Sequence, residues 1–302
     1  DPKKSWEERF RLFNSKGTTW ADYNPKQLSK GGAIFDRSAK KLPLSEEIKK
    51  CFNITKTIVT PTELLQKILG AKVELLWFGG IGTYVKSSSE SNFDAGDKAN
   101  DLIRINGKNL ACKVVGEGAN LGCTQLGRIE YSMNGGRLNT DAIDNSAGVD
   151  SSDHEVNIKI VIASAINSQK LNKNARNKLL ASMTNEVGNL VLVHNYRQSQ
   201  AISQIEAFSK KLLGGQHRFL KMLERENRLN RNIEFLPSDD IFLERGIEKK
   251  GLYRPEISVL LSYSKNWLYD QIVTSNLPDD PYLIQDLINY FPKPLQIKYK
   301  KE

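Results

Sequence analysis

The 302-residue sequence predicts an α/β half followed by an all-α half, and three observations carry that reading. Between Thr60 and Gly82 a capped helix, an apolar run and a glycine turn follow one another, which is the rhythm of a parallel α/β sheet. A second apolar run, Val114-Val115, closes on Gly116 and opens a glycine–asparagine turn, GEGAN. After about residue 165 no strand candidate occurs, while helical periodicity continues.

Taken in order, the first helix is expected from Ser5, with Glu8 as its capping-box partner and Trp6, Phe10 and Phe13 at helical spacing up to Gly17. Trp20 to Lys30 is irregular around Pro25, and Gly31-Gly32 leads into a short strand or turn at Ala33-Ile34-Phe35. Ser45 starts a second helix with Glu46 and Glu47 in its first turn, where acidic groups favour the helix dipole. Thr60, Pro61 and Glu63 start a third, which Gly70 ends. The run 72–78 is then a buried-strand candidate, and Ser87 to Asp97 is a polar loop. IRINGKNLACKVV carries Asn106-Gly107, a hairpin signal, and a hairpin is the reading taken; a helix end, a loop and one strand is the alternative.

Ser152 and Glu155 form another capping box, although VNIKIVI behind them also alternates like a strand. From Asn174 on, Leu179, Met183, Val187 and Val191 share a helical face, and Ile202, Ile205 and Phe208 continue on the next. Ser238 caps a short helix, Pro255 starts a long amphipathic one, and Pro281 starts the last, which Pro292 and Pro294 stop.

Composition sets outer bounds. With 39% hydrophobic and 26% charged residues the chain reads as globular, no apolar run is long enough to span a bilayer, and DPKKSWEERF has no signal-peptide core. The opening at Asp1-Pro2, without an initiator Met, leads to the expectation of a fragment or excised domain. Cys51, Cys112 and Cys123 are odd in number and lack metal-ligand spacing, so reduced thiols in a cytoplasmic protein are expected. His154, His194 and His217 are scattered, and no metal site is expected. The net charge of +9 divides into +3 over residues 1–160 and +6 over 161–302, with a small cluster at Lys293, Lys298, Lys300 and Lys301. A nucleic-acid site calls for a concentrated basic stripe with aromatic residues, so this spread charge is read as solvated surface.

Three turns are candidate ligand loops. Gly79-Gly80-Ile81-Gly82 follows a strand but has Val85 where the G-x-G-x-x-G pattern needs Gly or Ala, leaving a structural turn or a ligand loop. In Gly116-Glu117-Gly118-Ala119-Asn120 an amide follows two glycines at the carboxyl end of a strand, where open α/β sheets bind ligands; the alternative is a turn with Asn in the left-handed conformation. Asn145 to Gly148 repeats the idea ahead of Ser152, either a helix start that attracts an anion or an ordinary cap. Asp150, Asp153 and Glu155 are dipole partners there, or one touches a substrate amine; His154 reads as a packed or surface residue.

The strings LLWFGGIGTYVKSSSES, KVVGEGANLGCTQLGRIE, LNTDAIDNSAGVDSSDHEVNIKI, LLASMTNEV and GLYRPEISVLLSYSK closely resemble the large bacterial NAD-specific glutamate dehydrogenases, as do SKGGAIFDRSAK and NYRQSQAIS. The resemblance covers nearly the whole chain. It implies that residues 1–165 are the second part of a Rossmann-like NAD-binding domain and 166–302 an incomplete C-terminal helical domain. It also implies that Gly79, Gly80, Glu117, Gly118, Asn120 and Asn145 address the cofactor, with Asn120 near the nicotinamide ribose. Asn145 would contact both the nicotinamide end and the substrate, and Ser152 the substrate's side-chain carboxylate. Ala147 stands where shorter relatives have Gly.

In that family the pyrophosphate loop, the acidic ribose-binding residue and the catalytic lysine and aspartate precede the point matching Asp1. No catalytic residue is therefore expected in this chain, which alone should be inactive. The whole protein would convert L-glutamate to 2-oxoglutarate and ammonia with NAD, as a cytoplasmic homo-oligomer without nucleic-acid or membrane partners. The competing expectation is a truncated, non-catalytic binding module that docks through its basic helical half.

Overall fold

The computed structural model describes residues 1–36 and 38–300; Arg37 in SKGGAIFDRSAK and Lys301 in the lysine cluster lie outside the described residues. Helix α1 (Pro2–Asn14) starts earlier than the Ser5/Glu8 box implies, because Asp1 accepts from Lys4 N at 3.2 Å and Pro2 occupies the first turn. Glu8 instead turns inward and accepts from Arg11 Nη2 and from Asn24 N, both at 2.7 Å. Trp6 and Phe10 stack at 5.0 Å on the outer face, which also leaves Phe13 exposed. Ala33 to Phe35 form no strand.

Strand β1 (Leu42–Pro43), helix α2 (Glu46–Phe52), strand β2 (Ile58–Val59) and helix α3 (Pro61–Leu69) enclose a small core of Leu42, Leu44, Ile54, Val59 and Leu64. The two strands pair antiparallel. Both helices start where local chemistry placed them: Ser45 caps α2, and Thr60 and Glu63 exchange reciprocal backbone bonds at α3.

The α/β part continues through strands β3 (Leu75–Phe78) and β4 (Val85–Lys86), helix α4 (Asn92–Ala95), and strands β5 (Ile105–Asn106) and β6 (Val114–Glu117). β3 pairs parallel with β6, Leu75 opposite Val114 and Phe78 opposite Glu117, and β4 pairs parallel with β5. The Asn106-Gly107 hairpin does not form. Gly107 enters a 3₁₀ turn instead, and a Cβ there would lie 2.4 Å from the Gly127 carbonyl, so the glycine serves a close backbone approach. β3 is less buried than its apolar run implies: Phe78 faces the core, while Leu75 and Trp77 remain exposed.

Helix α5 (Gln125–Met133), helix α6 (Asp141–Asp144) and helix α7 (Ser146–Asn167) follow. VNIKIVI is helical, inside α7. Ser152 is not its cap, because the helix already begins at Ser146, and Glu155 pairs with Lys159 rather than closing a capping box. The long α8 (Lys173–Ala207) packs on α7 and carries Met183 and Val191 inward. Then come α9 (Ser209–Arg225), α10 (Asp239–Ile247), α11 (Arg254–Val273), α12 (Ile284–Tyr290) and α13 (Lys293–Lys298). Pro294 sits in the first turn of α13, so Pro292 and Pro294 end one helix and start another.

The largest core joins the two parts. Ile143 of α6 packs with Ile202, Leu213, Leu220, Ile257 and Leu260 from three later helices. The division expected at residue 165 falls in the last turn of α7. Among the described residues no strand follows β6, and no helix is long and apolar enough to cross a membrane.

Candidate active site

At the carboxyl ends of β3 and β6 two glycines let a side chain of the neighbouring strand lie against the backbone. The Trp77 indole lies over Gly116 and Gly118; a Cβ at Gly118 would be 2.3 Å from its ring and one at Gly116 2.6 Å. Ala119 N still bonds to Phe78 O at 3.1 Å, which delivers Asn120 to the surface just past the sheet. The left-handed residue of this turn is Leu121 (φ 61°), not Asn120, and Leu121 N is held by Asp141 Oδ2 at 2.8 Å.

Asn145 reaches the same place from the junction of α6 and α7. Its side chain makes no cap bond to its own helix, and its Nδ2 donates to Asn120 Oδ1. The two asparagines edge a cleft of about 610 Å³, whose α6–α7 wall includes Asp141, Asp150 and Asp153. The other wall comes from α8 (His194, Arg197, Gln198) and α11 (Lys265). Ser146 Oγ donates to Asn195 and accepts from Gln198, and Lys265 Nζ donates to Gln198 Oε1 at 2.6 Å. Burial holds the Lys265 ammonium below its ordinary value.

A buried polar network holds these loops in register. Arg128 of α5 grips Glu117 through two bonds, 2.7 and 2.8 Å, and reaches Asp141 at 3.2 Å. Glu117 also accepts from Cys123 N, while its own N–H donates to Asp144. Burial pushes the Glu117 and Asp144 carboxyls up; Arg128 opposes this at Glu117, and bonds from Glu117 N and Asn139 oppose it at Asp144. Asn139 in turn accepts from Arg254 at 2.8 Å, and Arg254 also bonds Ser203 and Glu206, tying the sheet end to α8 and α11.

The structure therefore brings Asn120 and Asn145 side chain to side chain. Glu117 lies beneath them, fully buried, with its carboxylate committed to Arg128. Gly79 and Gly80 lie exposed just past β3, and Gly118 sits between Trp77 and Asn120. Ser152 is exposed on α7, outside the lining of the cleft. Of the acidic residues around it, Asp150 bonds His194 Nδ1 at 2.8 Å and Asp153 lines the cleft.

Sequence reasoning assigned no role to Arg197, Gln198 or Lys265. The strings NYRQSQAIS and GLYRPEISVLLSYSK contain all three, but only the packing of α8 and α11 shows that they share the cleft. It also read the histidines as scattered, whereas His154 and His194 stack at 5.6 Å beside Asp150.

Comparison with known proteins agrees with these motifs. Residues 1–205 match the model of the bacterial NAD-glutamate dehydrogenase catalytic domain, and residues 249–302 that of the glutamate dehydrogenase C-terminal region. NAD-specific glutamate dehydrogenase of Halomonas elongata is 47% identical over 302 residues, all of this chain and 19% of that protein. The enzyme of the same name from Pseudomonas aeruginosa is 48% identical over 99% of the chain and 18% of its own length, and that of Mycobacterium tuberculosis 41% identical over the whole chain and 19% of its own. The chain thus spans about a fifth of the length of these relatives, and it belongs to the bacterial NAD-glutamate dehydrogenase family.

Proposed function

We propose that the protein carrying this chain oxidises L-glutamate to 2-oxoglutarate and ammonia with NAD, and that this chain supplies the nicotinamide-side wall of the site. The observation that carries the reading is the Asn120–Asn145 pair at the carboxyl ends of parallel strands, edging a cleft. NAD would supply the hydride acceptor. Asn120 and Asn145 keep a free amide N–H and a free carbonyl lone pair, which suit a ribose hydroxyl and a carboxamide. Gly79 and Gly80 leave backbone open to close approach, Gly118 makes room for the Trp77 indole beside Asn120, and Glu117 serves by fixing the loop through Arg128.

Glutamate carries one ammonium and two carboxylates. Asp141, Asp150 and Asp153 on one wall and Arg197 and Lys265 on the other offer complementary charge. Ser152, exposed on α7 outside that lining, is assigned to the side-chain carboxylate by family resemblance alone. Residues 1–165 are read as the later part of a Rossmann-like domain and 166–302 as a helical domain. The protein acts in the cytoplasm as a homo-oligomer, without a nucleic-acid partner.

The test is glutamate-dependent NADH formation, measured for the full-length protein and for the 302-residue chain. The full-length protein is expected to turn over and the chain alone to be silent. Absence of activity in the full-length protein would favour a non-catalytic binding role.

A further inference from the structure

Asp150 and His154 stand four residues apart on α7, the spacing that puts two side chains on one helix face, and His194 approaches them from α8. Their donor atoms all lie within 4.8 Å of one another. Asp150 bridges the pair: its Oδ2 is 2.8 Å from His194 Nδ1 and its Oδ1 is 3.8 Å from His154 Nε2. A tetrahedral zinc site with bonds near 2.1 Å has donor-to-donor edges of roughly 3.4 Å. The Asp150–His154 edge is wider than that and the two imidazoles stack nearly parallel, so closing on one ion turns the partly exposed His194 ring toward His154.

His154 adds a second and independent observation. It is fully buried, and neither of its ring nitrogens has a hydrogen-bond partner. Buried polar atoms are almost always satisfied, and an ion at Nε2, the nitrogen nearest Asp150, would satisfy one of the two. The ring is also held in place, stacked 4.6 Å from Tyr290, whose hydroxyl accepts from Asn157.

We propose that Asp150, His154 and His194 bind one divalent transition-metal ion, zinc by the nature of its donors, and that this ion ties α7 to α8. Two imidazoles and one carboxylate suit zinc better than magnesium or calcium, which take oxygen donors. Asp150 and His194 also line the cleft, so the fourth position is open to water or to a ligand carboxylate from that side. The site shares Asp150 and His194 with the cleft of the dehydrogenase reading, yet its zinc binding needs neither NAD nor glutamate and is tested without them.

The full-length protein, stripped with a chelator and dialysed, is titrated with Zn²⁺ alone beside His194→Ala and His154→Gln. His194 is the partly exposed ligand, so its removal spares the packed interior. Wild type is expected to bind one equivalent per chain more than either variant, or to bind that equivalent more than about tenfold more tightly. Binding is also expected to raise the unfolding midpoint of wild type but not of His194→Ala. Cobalt substituted into wild type should give tetrahedral d–d absorption without a thiolate charge-transfer band, a readout that needs no variant to fold. Equal zinc binding by wild type and His194→Ala, no bound zinc in wild type, or a thiolate cobalt spectrum would overturn the proposal.

Discussion

Asn145 donates its side-chain amide to the side-chain carbonyl of Asn120, joining two loops 25 residues apart in the chain. The bond commits both amides to the cleft edge, since Asn145 leaves the start of α7 uncapped. Both Asn120 amide N–H groups, one of Asn145's and the Asn145 carbonyl stay available. A change at either residue frees the other to rotate, so the two act as one unit.

Ser152→Ala tests the substrate side. A hydrogen bond to a charged group contributes about 1.5–3 kcal/mol, so the KM for glutamate of the full-length enzyme is expected to rise about tenfold or more. The KM for NAD should stay within about twofold. An unchanged KM for glutamate removes Ser152 from the site.

Arg128→Met tests the support beneath the loop. It strands the buried Glu117 carboxylate without its two bonds from Arg128, and breaking a buried pair from one side costs about 3–5 kcal/mol. Adding Glu117→Gln should recover part of that loss, because the stranded charge is gone. Urea unfolding midpoints measure both; a loss below about 1 kcal/mol for Arg128→Met would mean the pair is not structurally important.

Glu63 gives a pH signature. The Lys56 ammonium bonds it at 2.6 Å, Thr60 N–H adds a second bond, and the carboxyl is held down at about 2. A carboxyl lowered on folding stabilises the fold above its unfolded value, about 4.3, and that contribution disappears as pH falls toward 2. Glu63→Gln is expected to be less stable than wild type at pH 6, with the difference shrinking as pH falls from 4.5 toward 2. A difference independent of pH, followed by denaturation at each pH, would show that the charge of Glu63 has no part in it.

What was legible in the chain was local. Thr60-Pro61-Glu63 and Ser45 place helix starts because caps and first-turn proline act within four residues. The same rule misplaced two starts: Asp1 lies ahead of Ser5, and the helix through Ser152 already begins at Ser146. Asn106-Gly107 looked like a hairpin because its pattern is local, but tertiary packing against Gly127 used the glycine differently. In the site, the two glycine–asparagine loops were visible as motifs. The far wall was not, because Arg197 and Lys265 come to share the cleft with Asn145 only through the packing of α8 on α6 and α7 and of α11 on α8. For the same reason the Asp150–His154–His194 cluster was hidden, since two of its residues come from α7 and the third from α8.

The most direct measurement is the rate of glutamate-dependent NADH formation by the full-length protein, compared with Asn120→Ala, Asn145→Ala and the double variant. Each single change is expected to lower kcat/KM by about tenfold, roughly 1.4 kcal/mol. The double variant should lose less than the two single losses combined, because the residues share one hydrogen bond. Wild-type kcat/KM in both single variants would contradict the placement of this pair in the active site.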